Sequence, residues 1–118
     1  MSQLERYLVD IPAVIFDQKS AAHAAKVLNI SLRGAMLECP TISLSRGDAV
    51  QVKLSFEKVR TAVSEHSISL KDSFLEEVAE NSIVRWTGSP NNYQLGIEFT
   101  NPKLDTLEFL ARLIRAIS

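Results

Sequence analysis

Cysteine is nearly absent from the chain. Cys39 stands alone, which excludes an intrachain disulfide and a thiolate metal centre and leaves it to read as a small buried apolar residue. No apolar run reaches the roughly 20 residues a helix needs to span a bilayer, so no membrane insertion is expected. The opening MSQLERYLVDIPAVIF carries acids inside its apolar run and has no signal-peptide architecture, so a cytoplasmic location is expected. Neither sign of charge dominates. A net charge of −1 gives no bulk attraction for DNA, RNA or anionic membrane, and any anion site must be a local cluster. No nucleophile–base pair, metal cluster or phosphate loop is visible, so no enzymatic activity is expected. What remains is ordinary. Hydrophobic residues make up 46% and charged residues 23% of 118 residues, which fits one globular domain, residues 1–118, with its own core.

Periodicity predicts mostly strands. Val9 to Phe16 is β-branched and apolar, and Pro12 inside it points to an edge or opening strand rather than a central one. Ala21 to Ile30 is alanine-rich and helix-prone by propensity, yet it reads as a strand because Ala35-Met36-Leu37 resumes as an apolar run at once. Arg46-Gly47-Asp48 makes a turn, and Ala49 to Phe56 then alternates cleanly, with Val50, Val52, Leu54 and Phe56 on one face. Residues 58–80 are polar and serine-broken; Phe74 to Glu80 looks helical by propensity, and a short helix or a long bent strand both fit the stretch. Asn81 to Trp86 and Tyr93 to Phe99 read as an antiparallel hairpin across the dense turn signal Thr87 to Asn92. Asn101 reads as an N-cap and Pro102 as the first helical residue. Leu104, Leu107, Leu110, Ile114 and Ile117 then form an apolar stripe that packs on a barrel and allows a homodimer contact. Short strands followed by one amphipathic helix predict a small antiparallel barrel with a helical lid.

The most informative stretch is Asn29-Ile30-Ser31-Leu32-Arg33-Gly34, between two apolar runs. Asn and Ser side chains hydrogen-bond nearby backbone and hold a tight turn. Gly allows positive φ, or a close approach by a ligand, without a Cβ clash. The turn displays an amide, a hydroxyl and backbone N–H groups, which suit the polar edge of a purine. A purely structural turn would look the same.

This pattern resembles the D/N-x-S-x-x-G signature of PilZ domains, bacterial receptors for cyclic di-GMP. Gly47-Asp48 before an alternating strand, Val84-Arg85-Trp86, and Leu95-Gly96-Ile97-Glu98-Phe99 resemble the family in order and spacing, over roughly residues 6–115. The resemblance implies a mainly β fold, a six-stranded antiparallel barrel (about 6–100) with a C-terminal α-helix (about 102–117). It implies cyclic di-GMP as ligand, no cofactor, and a downstream protein partner. Asn29, Ser31 and Gly34 would hold a guanine base, and Trp86 would pack on the ligand or, alternatively, anchor the barrel.

The family also carries an Arg-x-x-x-Arg motif before its first strand, where each guanidinium can fork onto phosphate or stack on guanine. Arg6, just before Tyr7-Leu8-Val9-Asp10-Ile11-Pro12, matches the second arginine; the first position is Ser2. Losing one charge-assisted contact costs on the order of 2 kcal/mol, about 30-fold in affinity. Arg33 in the turn is the candidate replacement. Arg85 and Trp86, adjacent on one strand, are expected on opposite faces and hence not in one site. The departure at Ser2 keeps a second reading alive, a PilZ-fold interaction adaptor with weakened or lost nucleotide binding. Elsewhere the expectations are plain ones: His23 and His66 as ordinary side chains, and Glu76, Glu77 and Glu80 as a solvated face.

Overall fold

The computed structural model describes residues 11–40, 43–60, 74–88 and 93–117, the side chains of 116 and 117 excepted. Six strands and one long helix are found there: β1 (Ile11–Phe16), β2 (Ala22–Ile30), β3 (Gly34–Glu38), β4 (Ala49–Ser55), β5 (Glu77–Thr87), β6 (Gln94–Phe99) and α1 (Leu104–Ile117). All pairings are antiparallel, and the order β1-β2-β3-β6-β5-β4 closes on itself as a barrel. Two three-stranded meanders, β1-β2-β3 and β4-β5-β6, thus meet along two seams, β1 with β4 and β3 with β6. Closure leaves no free sheet edge to template aggregation.

The inward residues of β4 and β6 follow the predicted alternation, and β1 alternates likewise. Ile11, Ala13 and Ile15 of β1, Val50, Val52 and Leu54 of β4, and Leu95, Ile97 and Phe99 of β6 are buried. Each large side chain fully removed from water contributes roughly 1.5–3 kcal/mol before entropy is counted. Ala22 to Ile30 is a strand, because hydrogen bonding to both β1 and β3 outweighs the helix propensity of its alanines. Cys39 is buried, its thiol directed at the Ala24 carbonyl at 3.3 Å.

Four expectations are corrected. Pro12 does not mark an edge: β1 lies between β2 and β4, and its pairing with β4 begins one residue later, at Ala13, so no ladder bond needs the missing N–H. The helix-prone run Phe74 to Glu80 is not helical: Glu77 onward is a strand paired to β4, whose ladder outweighs local propensity, and the short helix lies at residues 57–60; residues 61–73 lie outside the described part.

The third correction is Glu80. It faces inward and is only 3% exposed. Its carboxylate accepts the Thr106 hydroxyl at 2.5 Å and the Lys103 N–H at 3.2 Å, and pairs with the Lys103 ammonium at 3.1 Å. Burial pushes its pKa up, but these donors outweigh burial and leave it below the ordinary value. Glu76 and Glu77 are exposed as expected, facing Arg60 and Lys53.

The helix is the fourth. Leu107 N–H donates to the Lys103 carbonyl, so Lys103, not Asn101, takes the N-cap position, and the helix starts at Leu104. Glu80 supplies the anion that favours a helix N-terminus. The helix is also rotated from the expected stripe. Thr106, Phe109, Leu110 and Leu113 are buried, whereas Leu104 is 68% exposed and Leu107 and Ile114 are half-buried. Two contacts fix that rotation: Thr106 on Glu80, and the Phe109 ring set edge-on against Phe56 and Phe74, each at 5.1 Å. The side chain of Ile117 is outside the described part.

Candidate functional site

The β2–β3 corner is built by its own side chains. The register of β2 against β3 slips between Val27 and Asn29, so Leu28 is an extra residue, and the strand bends toward the turn. Asn29 Oδ1 accepts the Ile30 N–H at 2.8 Å. Ser31 N–H donates to the Gly34 carbonyl at 2.9 Å, and Ser31 Oγ accepts the Arg33 N–H at 3.2 Å. The Arg33 carbonyl accepts the Phe99 N–H at 2.8 Å, tying the corner to the end of β6. Ser31, Leu32 and Arg33 are exposed. Among the described residues, the Arg33 guanidinium makes no ion pair.

Gly34 is explained by packing. It has no positive φ, and a Cβ there would lie 1.9 Å from the Ile97 carbonyl oxygen. The close approach that requires glycine is made by the backbone of β6. Its place in the motif is therefore that of a spacer that lets the corner lie flat on the barrel.

A second bulge re-aims the facing wall. The register of β5 against β6 slips between Val84 and Trp86, with Val84 opposite Ile97 and Trp86 opposite Gly96. Arg85 is the extra residue, and the strict alternation that would separate it from Trp86 is broken. Both side chains are exposed on the outer surface, which corrects the expectation of opposite faces. Trp86 is 43% exposed and hence not a core anchor. Its indole lies across Gly96, where a Cβ would stand 2.1 Å from Nε1.

Between the corner and this wall is an open pocket of about 230 Å³. Asn29, Ser31, Arg33 and Gly34 line it from one side, and Trp86 from the other. Five of the six residues marked in the sequence therefore meet in one place. The sixth, Arg6, lies outside the described residues. Ile11, however, pairs with Val27, two positions before Asn29, so β1 begins beside the end of β2 that carries the corner. Among the other lining residues, Arg85, Gly96 and Glu98 bear on its chemistry and are not among those marked in the sequence. A glycine opposite the lone tryptophan of a predicted hairpin was the available signal for Gly96. Arg85 Nε and Nη2 fork onto the two Glu98 carboxylate oxygens at 3.2 and 3.3 Å. Two arginines against one glutamate leave the lining locally cationic within a chain of net charge −1.

Chemically the lining presents an exposed indole, an amide, a hydroxyl and two guanidinium groups, a set able to meet a flat ring with a polar edge and an anion. His23 is not part of it. That side chain meets Asp17 at 3.0 Å in the β1–β2 turn, where its hydrogen bond, with those from the Ala21 and Lys19 N–H groups, holds the Asp17 carboxyl below its usual range. His66 lies outside the described residues. Among the described residues, no cluster of three or more His, Cys, Asp or Glu is arranged to hold a metal, and no helix is long and apolar enough to cross a membrane.

A family model described as the PilZ domain matches residues 3–116. The fold is similar to the crystal structure of the PilZ domain of CeSA from a cellulose-synthesizing bacterium, with a TM-score of 0.59 at 14% identity over 92% of each chain. It is equally similar to the Bacillus subtilis inhibitor of motility, MotI/DgrA, with a TM-score of 0.59 at 12% identity over 92% of this chain. The match spans 47% of that inhibitor. No functionally curated protein matches the chain.

Proposed function

The chain belongs to the PilZ domain family, and from that membership we propose that it is a cyclic di-GMP receptor domain acting in bacterial second-messenger signalling. One observation carries the reading: the turn residues Asn29, Ser31, Arg33 and Gly34 and the sequence-distant Trp86 line a single pocket. In this reading Asn29 and Ser31 hold the polar edge of a guanine, the Trp86 indole covers its face, and Arg33 meets a phosphate. Arg6, just upstream of the strand that begins beside the corner, supplies the second guanidinium. At about 230 Å³ the pocket falls below the roughly 300 Å³ at which a site begins to enclose a drug-sized ligand, so it takes one base and leaves the rest of a dinucleotide to the preceding segment. Ligand binding then alters the surface met by a downstream protein partner in the cytoplasm.

Isothermal titration with cyclic di-GMP tests this directly. Saturable heat in the micromolar range is expected, abolished or strongly reduced by Asn29→Ala with Ser31→Ala. No heat at high micromolar nucleotide would sink the reading. That result would favour the second one, an interaction adaptor on the same fold, for which Ser2 in place of the first arginine is the specific observation.

A further inference from the structure

Arg85 and Glu98 form a device within the pocket. The ladder sets Glu98 opposite Ile83, so Arg85 reaches it as a diagonal neighbour on the outer face of β5 and β6. The fork is long, 3.2 and 3.3 Å, against the 2.7–2.9 Å typical of a strong charge-assisted pair. Its side chains are 53% and 46% exposed, conditions in which an ion pair holds weakly. Both line the same pocket as Arg33 and Trp86.

An anion arriving there meets one guanidinium already engaged and one carboxylate of its own sign. The geometry points to Arg85 as a phosphate ligand of this pocket and Glu98 as its built-in competitor. In the free protein Glu98 occupies the fork. A phosphate, which offers a planar bidentate donor two terminal oxygens as a diester and three as a monoester, takes Arg85 from it. Glu98 then turns to solvent, which its exposure allows. The exchange supplies a guanidinium that the sequence lacks at Ser2, and it makes binding selective for ligands that carry phosphate. This rests on the nucleotide reading of the pocket but not on which nucleotide binds.

The test uses the lone tryptophan, Trp86, as a fluorescent reporter for titration with 5′-GMP and with guanosine, in the wild type, E98Q and R85Q. Thermal melts verify that all three fold. Glu98→Gln is expected to bind GMP about threefold tighter, the scale of an exposed charge pair. Arg85→Gln is expected to bind it about tenfold weaker, the scale of one lost charge-assisted contact. Guanosine affinity should not change in either. Unaltered or weaker GMP binding by E98Q, or unaltered binding by R85Q, overturns the proposal. The same variants titrated with cyclic di-GMP separate it from the broader reading. Cyclic di-GMP binding that ignores both substitutions defeats the Arg85–Glu98 exchange and leaves the receptor. Arg85-dependent GMP binding without cyclic di-GMP binding leaves the exchange and defeats the receptor. If no variant binds either phosphate probe, both fall.

Discussion

The Trp86 indole covers Gly96 so closely that any side chain at residue 96 must displace it. Because the ring is 43% exposed and at the outer surface, it can yield without disturbing the core. Gly96→Ala is therefore expected to change stability by less than about 1 kcal/mol, while shifting Trp86 emission toward the red. Trp86→Ala should likewise fold, and should lose about tenfold or more in affinity for cyclic di-GMP, since stacking on one base is worth about 1–3 kcal/mol. Urea melts and calorimetry on the two variants check both halves.

Gly34 has no such freedom. A Cβ there meets the Ile97 carbonyl oxygen at 1.9 Å, and backbone in a closed barrel cannot step aside. Gly34→Ala should cost about 3 kcal/mol, at the upper end of overpacking, or more than about 10 °C in Tm. Gly47 differs: it sits at φ 96° with nothing within 4 Å, so Gly47→Ala should cost about 1–2 kcal/mol from backbone strain alone. Melting curves that reverse this order would contradict the packing account.

Glu80 predicts a pH dependence. Its folded pKa is lowered, so its contribution is present above the unfolded carboxylate pKa, about 4.3, and is lost as pH falls through the folded value. Glu80→Ala should cost about 3 kcal/mol at pH 7, because the buried Thr106 hydroxyl loses its acceptor and the helix its anion. The difference from wild type should shrink between about pH 5 and 3. Urea denaturation at a series of pH values measures it.

The helix rotation can be read by truncation. Leu113 is fully buried, and Leu113→Ala should cost about 2–5 kcal/mol. Leu104, 68% exposed, should change by less than about 0.5 kcal/mol on the same substitution. Equal losses would restore the face predicted from the sequence.

Ser2→Arg rebuilds the arginine spacing of the family ahead of Arg6. Cyclic di-GMP affinity should then rise by about 10- to 30-fold, the value of one charge-assisted contact. A variant that folds and binds no tighter would count against the reading of this segment as a ligand-wrapping arginine arm.

Most of the barrel was legible because period-two burial is a strong signal, as in Val50, Val52 and Leu54. The corner was legible because Asn29 and Ser31 each have a local reason to be there. What was hidden depends on one-residue slips and long-range contacts. Arg85 and Trp86 share a surface through a bulge that alternation cannot register. Gly34 answers to a β6 backbone distant in sequence. Glu80 reads as solvated within an acidic run, and only the docking of Thr106 and Lys103 explains its burial. The Leu104 stripe fits a helix as well as the buried Phe109–Leu113 face does, and only the long-range contacts of Thr106 with Glu80 and of Phe109 with Phe56 and Phe74 choose between them.

The pocket straddles the seam where β3 meets β6, for example Leu37 with Leu95. Pairings so distant in sequence are slow to form, because loop closure precedes their reward. The site therefore comes into being only with the closing of the barrel. A ligand that touches both the β2–β3 corner and the β5–β6 wall acts as a clasp across that seam, and its occupancy should appear as a longer unfolding half-life as well as a higher melting point.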